Sequence, residues 1–108
     1  MPDLEYIAEA NRIVDERIVQ LRGLPPSDAA ALPEVDGRDI EIAGKRASVT
    51  VFRQDSPYGL ENRTLVTVLV ALPRWFGMAA HHIERGLVFA PDGSVREASL
   101  LELQNSGG

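Results

Sequence analysis

The residues best suited to chemistry are concentrated between Arg74 and Gly86. This stretch, R-W-F-G-M-A-A-H-H-I-E-R-G, contains both histidines and the only tryptophan of the 108-residue chain. Histidine beside a carboxylate can serve as an acid–base pair, and both side chains can bind metal ions. Aromatic side chains and methionine can instead fill a core or contact another protein. The stretch therefore has to be considered as a metal site, an acid–base site and an apolar contact patch.

Adjacent histidines are poorly placed to bind one metal ion. His81 and His82 point to opposite faces of a strand, and on a helix they diverge by about 100°. The chain contains no cysteine, which excludes thiolate ligands, disulfides and a thiol nucleophile. We predict that the protein has no metal site.

His82 and Glu84 share one face if the stretch forms a strand. The carboxylate could then hold the imidazole in one tautomer, so that the histidine acts as a general base. A lone pair of this kind is more commonly a surface ion pair. The chain has no G-x-S-x-G elbow, no glycine-rich phosphate loop and no H-E-x-x-H motif. We favour a protein without catalytic activity or cofactor; the alternative is a ligand-binding or enzymatic domain that uses this pair in a pocket between helix and sheet.

Arg74, Trp75, Phe76 and Met78 are residue types enriched in the centres of protein interfaces. They follow a predicted central strand, where the rings could also close the bottom of a small hydrophobic core. Gly77 indicates that the backbone turns between them, which makes full burial of both rings harder. Both interpretations stay open, and the four residues are the candidate binding residues.

An N-terminal helix is the first of the elements that must position this stretch. We predict it over residues 1–23, with Asp3 as N-cap and Gly23 immediately after its end. Its apolar stripe has helical spacing, interrupted by Asn11, and consists of Leu4, Ile7, Val14, Ile18 and Leu21. Additional apolar residues widen this arc beyond half of the circumference. Such a helix needs cover on two sides, either from a curved sheet or from a second subunit, and we predict a homodimer.

Residues 24–38 are predicted to form a loop that includes a turn at Asp36-Gly37, and residues 39–98 an antiparallel sheet. Residues 46–55 alternate between apolar and polar side chains. Residues 63–72 are apolar on both faces, which is typical of a central strand.

Turn and capping signals divide the second half of the chain. Gly44-Lys45 and Pro91-Asp92-Gly93 suit hairpin turns. Ser99 and Glu102 have capping-box spacing. Residues 99–108 are therefore predicted to be a short helical turn followed by a tail.

The predicted class is α+β: one long helix on a curved antiparallel sheet of four to five strands, in a single domain of residues 1–108. This arrangement resembles cystatin-like and nuclear-transport-factor-like folds. Its order of elements is also similar to that of the small acidic dimeric chaperones of type III secretion. The Q-x-V-x-G loop with which cystatins bind proteases is missing. Because such a fold carries no function with it, the resemblance implies architecture only.

Charge and hydropathy narrow the range of partners. The net charge is −5, and residues 1–36 carry three arginines against eight acidic residues. A shortage of cations argues against a nucleic-acid backbone as partner. The longest apolar run is too short to span a bilayer, and the N-terminus lacks signal-peptide features. We predict a small cytoplasmic protein-binding or regulatory module with no nucleic-acid or membrane partner.

Overall fold

The structure, a computed structural model, describes residues 4–42, 44–57, 60–72 and 81–107. The elements are helices α1 (Leu4–Arg22) and α2 (Pro26–Ala30), strands β1 (Val35–Ile42), β2 (Lys45–Asp55), β3 (Thr64–Leu72), β4 (His81–Phe89) and β5 (Val95–Glu97), and helix α3 (Leu100–Gly107). The strands form one sheet in the order β1-β2-β3-β4-β5, and every neighbouring pair is antiparallel. The predicted α+β class, with one long helix on an antiparallel sheet, is confirmed.

The helix-side face of the sheet, which packs against α1, carries most of the hydrophobic core. Side chains alternate between the two faces along a strand, so every second residue of β2, β3 and β4 points toward the helix. The buried strand residues of this core are Ala47, Val49, Val51, Val66, Val68, Val70, Leu87 and Phe89. Their β-branched and aliphatic side chains are typical of strands that are packed on at least one face.

Helix α1 buries a stripe with spacings of four, four, four and three residues. Its members are Tyr6, Ala10, Val14, Ile18 and Leu21. Asn11 lies outside this stripe, is exposed, and donates a hydrogen bond from Nδ2 to the Ile7 carbonyl oxygen at 3.0 Å. The predicted stripe through Ile7 and Asn11 is therefore wrong in its second turn. Tyr6 and Ala10 replace them, because an aromatic ring buries a large apolar surface and alanine permits close approach of the sheet.

The segment after α1 covers part of the wide apolar arc. Ala29 of α2 is fully buried, and Leu24 and Leu32 pack against the same core. Arg53 of β2 donates a hydrogen bond from Nε to the Leu32 carbonyl oxygen at 2.6 Å, which fixes the segment to the sheet. Val19 stays 71% exposed. Cover for the core thus comes largely from within one chain.

Strand β1 begins four residues earlier than predicted. Asp36 and Gly37 lie inside the strand, paired with Val51 and Thr50 of β2. The predicted turn at Asp36-Gly37 is wrong, because pairing along the long strand β2 outweighs the local turn preference of these two residues.

The two hairpin turns are set by glycines with positive φ. Gly44 has a φ of 79° and Gly93 one of 91°, which suits glycine because it has no Cβ. Ile42 pairs with Lys45, so Lys45 belongs to β2 and the predicted Gly44-Lys45 turn is wrong in its second residue. In the second, the Asp92 carboxylate accepts hydrogen bonds from the Ser94 N–H at 2.8 Å and hydroxyl at 2.7 Å, which lower the pKa of Asp92.

Helix α3 extends to Gly107, where a single turn and a tail were predicted for residues 99–108. Leu103 is buried, and tertiary packing of this kind stabilises helices too short to persist alone. Helix α3 packs closely on the sheet at Gly86. A Cβ added there would lie 2.8 Å from Leu103 Cδ2 and 3.2 Å from the Val66 carbonyl oxygen.

Replacing Gly86 with alanine should therefore destabilise the protein by about 1–3 kcal/mol, since the added methyl overpacks the contact with α3. Urea unfolding measures the change. Gly23→Ala is the control, because its Cβ would meet nothing closer than the Gln20 carbonyl oxygen at 3.6 Å. It should leave the free energy of unfolding unchanged or raise it by up to about 1 kcal/mol. Equal destabilisation by both variants would contradict the packing of α3 on Gly86.

Candidate functional site

The face of the sheet turned away from α1 is covered at one end. There a second buried cluster links α3 and the β2–β3 connection to the sheet; it consists of Leu60, Leu65, Val88, Ala98 and Leu103. The rest of this surface we call the open face. Its residues on the three inner strands are Ser48, Thr50, Phe52, Thr67, Leu69, Ala71, His82 and Glu84. Strand β1 adds Val35, Gly37, Asp39 and Glu41 at its border.

Charged hydrogen bonds hold α3 over the closed end. The Ser99 Oγ accepts a hydrogen bond from the Glu102 N–H at 3.2 Å, and the Ser99 N–H donates to Glu102 Oε1 at 2.9 Å. The predicted capping box is therefore confirmed. Arg96 of β5 adds a bidentate contact to the Glu102 carboxylate, with N–O distances of 2.7 and 2.6 Å. The bonds from Arg96, followed by those from Ser99, lower the pKa of Glu102 to about 2.

The centre of the open face is apolar and only half-buried. Phe52 lies opposite Thr67, and Thr50 lies opposite Leu69 in the register of β2 and β3. All four side chains are intermediate in exposure. In the described part of the chain, no helix packs on them as α1 packs on the other face.

Acidic side chains border this apolar centre. Glu84 lies opposite Leu69 and is half-buried, yet its carboxylate makes no hydrogen bond or ion pair with another described residue. Asp39 and Glu41 on the neighbouring edge are exposed. They line an open depression of about 470 Å³ together with Arg46. Among its described residues, the open face thus carries more carboxylates than cations around an apolar centre.

The predicted acid–base pair lies on the open face. His82 and Glu84 share one side of β4, as their spacing predicts, and are opposite Ala71 and Leu69 of β3. They therefore point away from α1, while the space between α1 and the sheet holds the packed core. His82 is exposed, and its imidazole forms no hydrogen bond with a described residue. The carboxylate of Glu84 consequently does not fix a histidine tautomer.

Metal ligation finds no support in the described residues. Among them, no group of three or more histidine, aspartate or glutamate side chains is close enough to hold an ion. His81 belongs to β4, but the structure does not describe its side chain. Arg74, Trp75, Phe76 and Met78 also lie outside the described residues, so the contact patch predicted for them stays a prediction.

Sequence reasoning missed the role of Arg85. It lies on the helix-side face, where it pairs with Asp15 of α1 and donates from Nε to Glu97 of β5 at 2.6 Å. The hydrogen bond to Glu97, followed by the charges of Glu97 and Asp15, raises the pKa of Arg85. The available signal was strand alternation, which places this arginine on the apolar side of β4, where a charge needs a partner.

Comparisons with known proteins add no family. No protein-family model matches the chain, and searches among curated proteins and among solved structures find no match. None of the described helices is long and apolar enough to cross a membrane.

Acid should loosen α3 through Glu102. Its pKa in the folded protein is about 2 instead of the ordinary 4.5, so its ionised form stabilises the fold above that ordinary value. This stabilisation is lost as the pH falls from about 5 to about 2. Glu102→Gln should lower the free energy of unfolding at neutral pH by about 1 kcal/mol and flatten its acid dependence.

Urea unfolding followed by circular dichroism at several pH values measures this effect. Glu61→Gln is the control, because Glu61 is exposed and has no ion pair with another described residue. A Glu102→Gln variant with the acid dependence of the original protein would show that the capping box and Arg96 contribute nothing to acid sensitivity.

Proposed function

We propose that this protein is a non-catalytic binding module that works as a homodimer, and that its open face binds a protein segment with both apolar and basic side chains. The observation that carries the proposal is the half-buried apolar centre around Phe52 and Leu69, with the carboxylate of Glu84 directly beside it.

The apolar centre supplies the attraction. A partner that covers Phe52 and Leu69 removes apolar surface from water, and each square ångström so removed is worth roughly 25 cal/mol. Thr50 and Thr67 beside this centre are β-branched and have few rotamers, so little of their side-chain entropy is lost on binding.

Glu84 supplies selectivity. Covering a half-buried carboxylate without a partner costs free energy, because the charge loses its water. A lysine or arginine on the bound segment offsets that cost, while an acidic segment increases it. The net charge of −5 acts in the same direction at long range by attracting basic segments.

Catalysis has less support. The enzymatic alternative requires a pocket between α1 and the sheet. Packed side chains fill that space. His82 and Glu84 face the other side of the sheet and do not contact each other through a hydrogen bond. A cytoplasmic location stays a prediction.

Homodimer formation is tested by sedimentation equilibrium of the complete chain at micromolar concentration. The expected result is twice the chain mass of 11.8 kDa. A single species at 11.8 kDa would contradict the dimer and leave the proposal for the open face standing.

The open face is tested by selecting binders from a random peptide library on the immobilised protein. We expect the selected peptides to combine aliphatic or aromatic residues with lysine or arginine. Leu69→Thr should weaken their binding by about tenfold, since it removes apolar contact worth roughly 1.4 kcal/mol. Glu84→Gln should weaken binding a few-fold at low salt and less at high salt.

Two matched variants control for the chemistry of each change. Val19→Thr replaces a methyl group of an exposed apolar residue on α1 with a hydroxyl, and Glu61→Gln neutralises an exposed carboxylate of the β2–β3 connection, outside the open face. Neither should alter peptide binding. Selection of acidic peptides, or binding that ignores Leu69→Thr and Glu84→Gln, would reject the proposed site.

A further inference from the structure

Strand β1 is an edge of the sheet and offers a row of backbone groups. Arg53 of β2 donates its N–H to the Glu34 carbonyl oxygen at 2.9 Å, so these two residues form a hydrogen-bonded antiparallel pair. Such pairs alternate along the ladder. The backbone groups of the intervening residues consequently point away from β2; these residues are Val35, Gly37, Asp39 and Glu41.

This alternation limits how a second copy could pair with the edge. When two identical strands pair antiparallel, a residue whose backbone N–H and C=O point away from β2 must lie opposite a residue of the same kind in the second copy. Such residues alternate along β1. The two-fold axis therefore passes through a residue and not between two residues. Each candidate register is then defined by the residue that lies on the axis.

Charge separates the candidate registers. An axis at Gly37 places Asp36 opposite Arg38 of the second copy, and Arg38 opposite Asp36 of that copy. An axis at Asp36, Arg38, Asp39 or Glu41 places a charge opposite itself. An axis at Val35 places Glu34 opposite Asp36, and an axis at Ile40 places Asp39 opposite Glu41. Opposite charges facing each other across strands are stabilising, and like charges are destabilising.

We infer that two copies of this chain pair antiparallel through strand β1, with the two-fold axis at Gly37. This inference names the interface of the homodimer in the proposed function and depends on that dimer. Val35 would pair with Asp39 of the second copy, Gly37 with Gly37, and Asp39 with Val35, each pair joined by two backbone hydrogen bonds.

The side chains at this edge are compatible with the pairing. Asp36 and Arg38 are exposed enough to reach a second copy, with side-chain exposures of 44% and 66%, and their own separation is 3.8 Å between Oδ2 and Nη2. Glycine on the axis keeps the two strands free of a side-chain clash there. Val35, which is 62% exposed, gains a neighbouring strand.

Charge reversal tests the register by sedimentation equilibrium. Asp36→Arg and Arg38→Asp should each weaken dimerisation on the order of tenfold, because the symmetry applies every change twice. The double variant Asp36→Arg with Arg38→Asp should restore the original dissociation constant. Asp39→Arg is the control: it makes the same change in net charge as Asp36→Arg but lies opposite Val35, so it should have little effect.

A cysteine introduced on the axis provides a second measurement. The chain has no cysteine, so Gly37→Cys creates one thiol per copy, at the separation that a cross-strand disulfide spans. It should form a covalent dimer on mild oxidation. Asp39→Cys should not, because its counterpart in the second copy lies about four residues, roughly 13 Å, along the strand.

These experiments distinguish failure of the dimer from failure of the β1 interface. A monomeric protein overturns both the dimer and this interface. A dimer that ignores the charge reversals, or that cross-links through Asp39→Cys and not Gly37→Cys, overturns the interface and leaves the dimer standing. Rescue by the double variant with cross-linking at Gly37 supports it. Circular dichroism confirms that each variant is folded. Unchanged peptide binding by Asp36→Arg and Arg38→Asp, which lie on the helix-side face opposite Val51 and Val49, separates the edge from the open face.

Discussion

The packing of α1 on the alternating valines of β3 is the interaction on which the rest of the structure depends. Val66, Val68 and Val70 are fully buried beneath the helix. Because strand periodicity is two, this contact fixes which residues of every other strand point to the helix and which point away. The open face is therefore a consequence of the core. Because the three valines point to α1, Thr67 and Leu69 must point to the opposite face of the sheet.

The charged residues of β4 favour the same orientation of the strand relative to α1. Arg85 stands on β4 among residues that face the helix, and its ion pairs with Asp15 and Glu97 join α1, β4 and β5. A shift of one residue in the register of β4 would move this guanidinium away from its carboxylates and bring Glu84 toward the apolar core. The cost of a buried carboxylate without a partner opposes that shift, so the charges on β4 help to specify the register that hydrophobic burial prefers.

Elements with a strong local signal could be predicted from the sequence. Residues 63–72 are apolar on both faces because β3 packs on α1 on one side and, through Leu65, on the α3 cluster on the other. The capping box at Ser99 and the turn at Gly93 depend on residues close in sequence, so their prediction needed no tertiary information. The spacing of His82 and Glu84 predicted that they share one face of the strand. It did not predict that this face points away from α1.

The failures have a common physical origin in long-range contacts. Asp36 and Gly37 carry a turn signal, yet they pair with β2, whose partner residues lie beyond the hairpin. The full length of α3 depends on Leu103 packing against the sheet. The stripe of α1 depends on where the sheet meets it, which selects Tyr6 and Ala10 over Ile7 and Asn11. Local patterns contain no information about those partners. They named Glu84 as a candidate site residue together with His82, but they did not show that it is half-buried beside Leu69 on the open face.

The strand order of the sheet repeats the order of the strands in the chain, and this has a kinetic consequence. Each strand pairs with its sequence neighbour, so the loops that must close are short and the entropy lost on closing them is small. Docking of α1 is different, since Asp15 and Arg85 are 70 residues apart in sequence. The sheet can therefore assemble by local steps, whereas its helix-side face stays exposed to water until α1, which precedes all five strands in the sequence, packs on it.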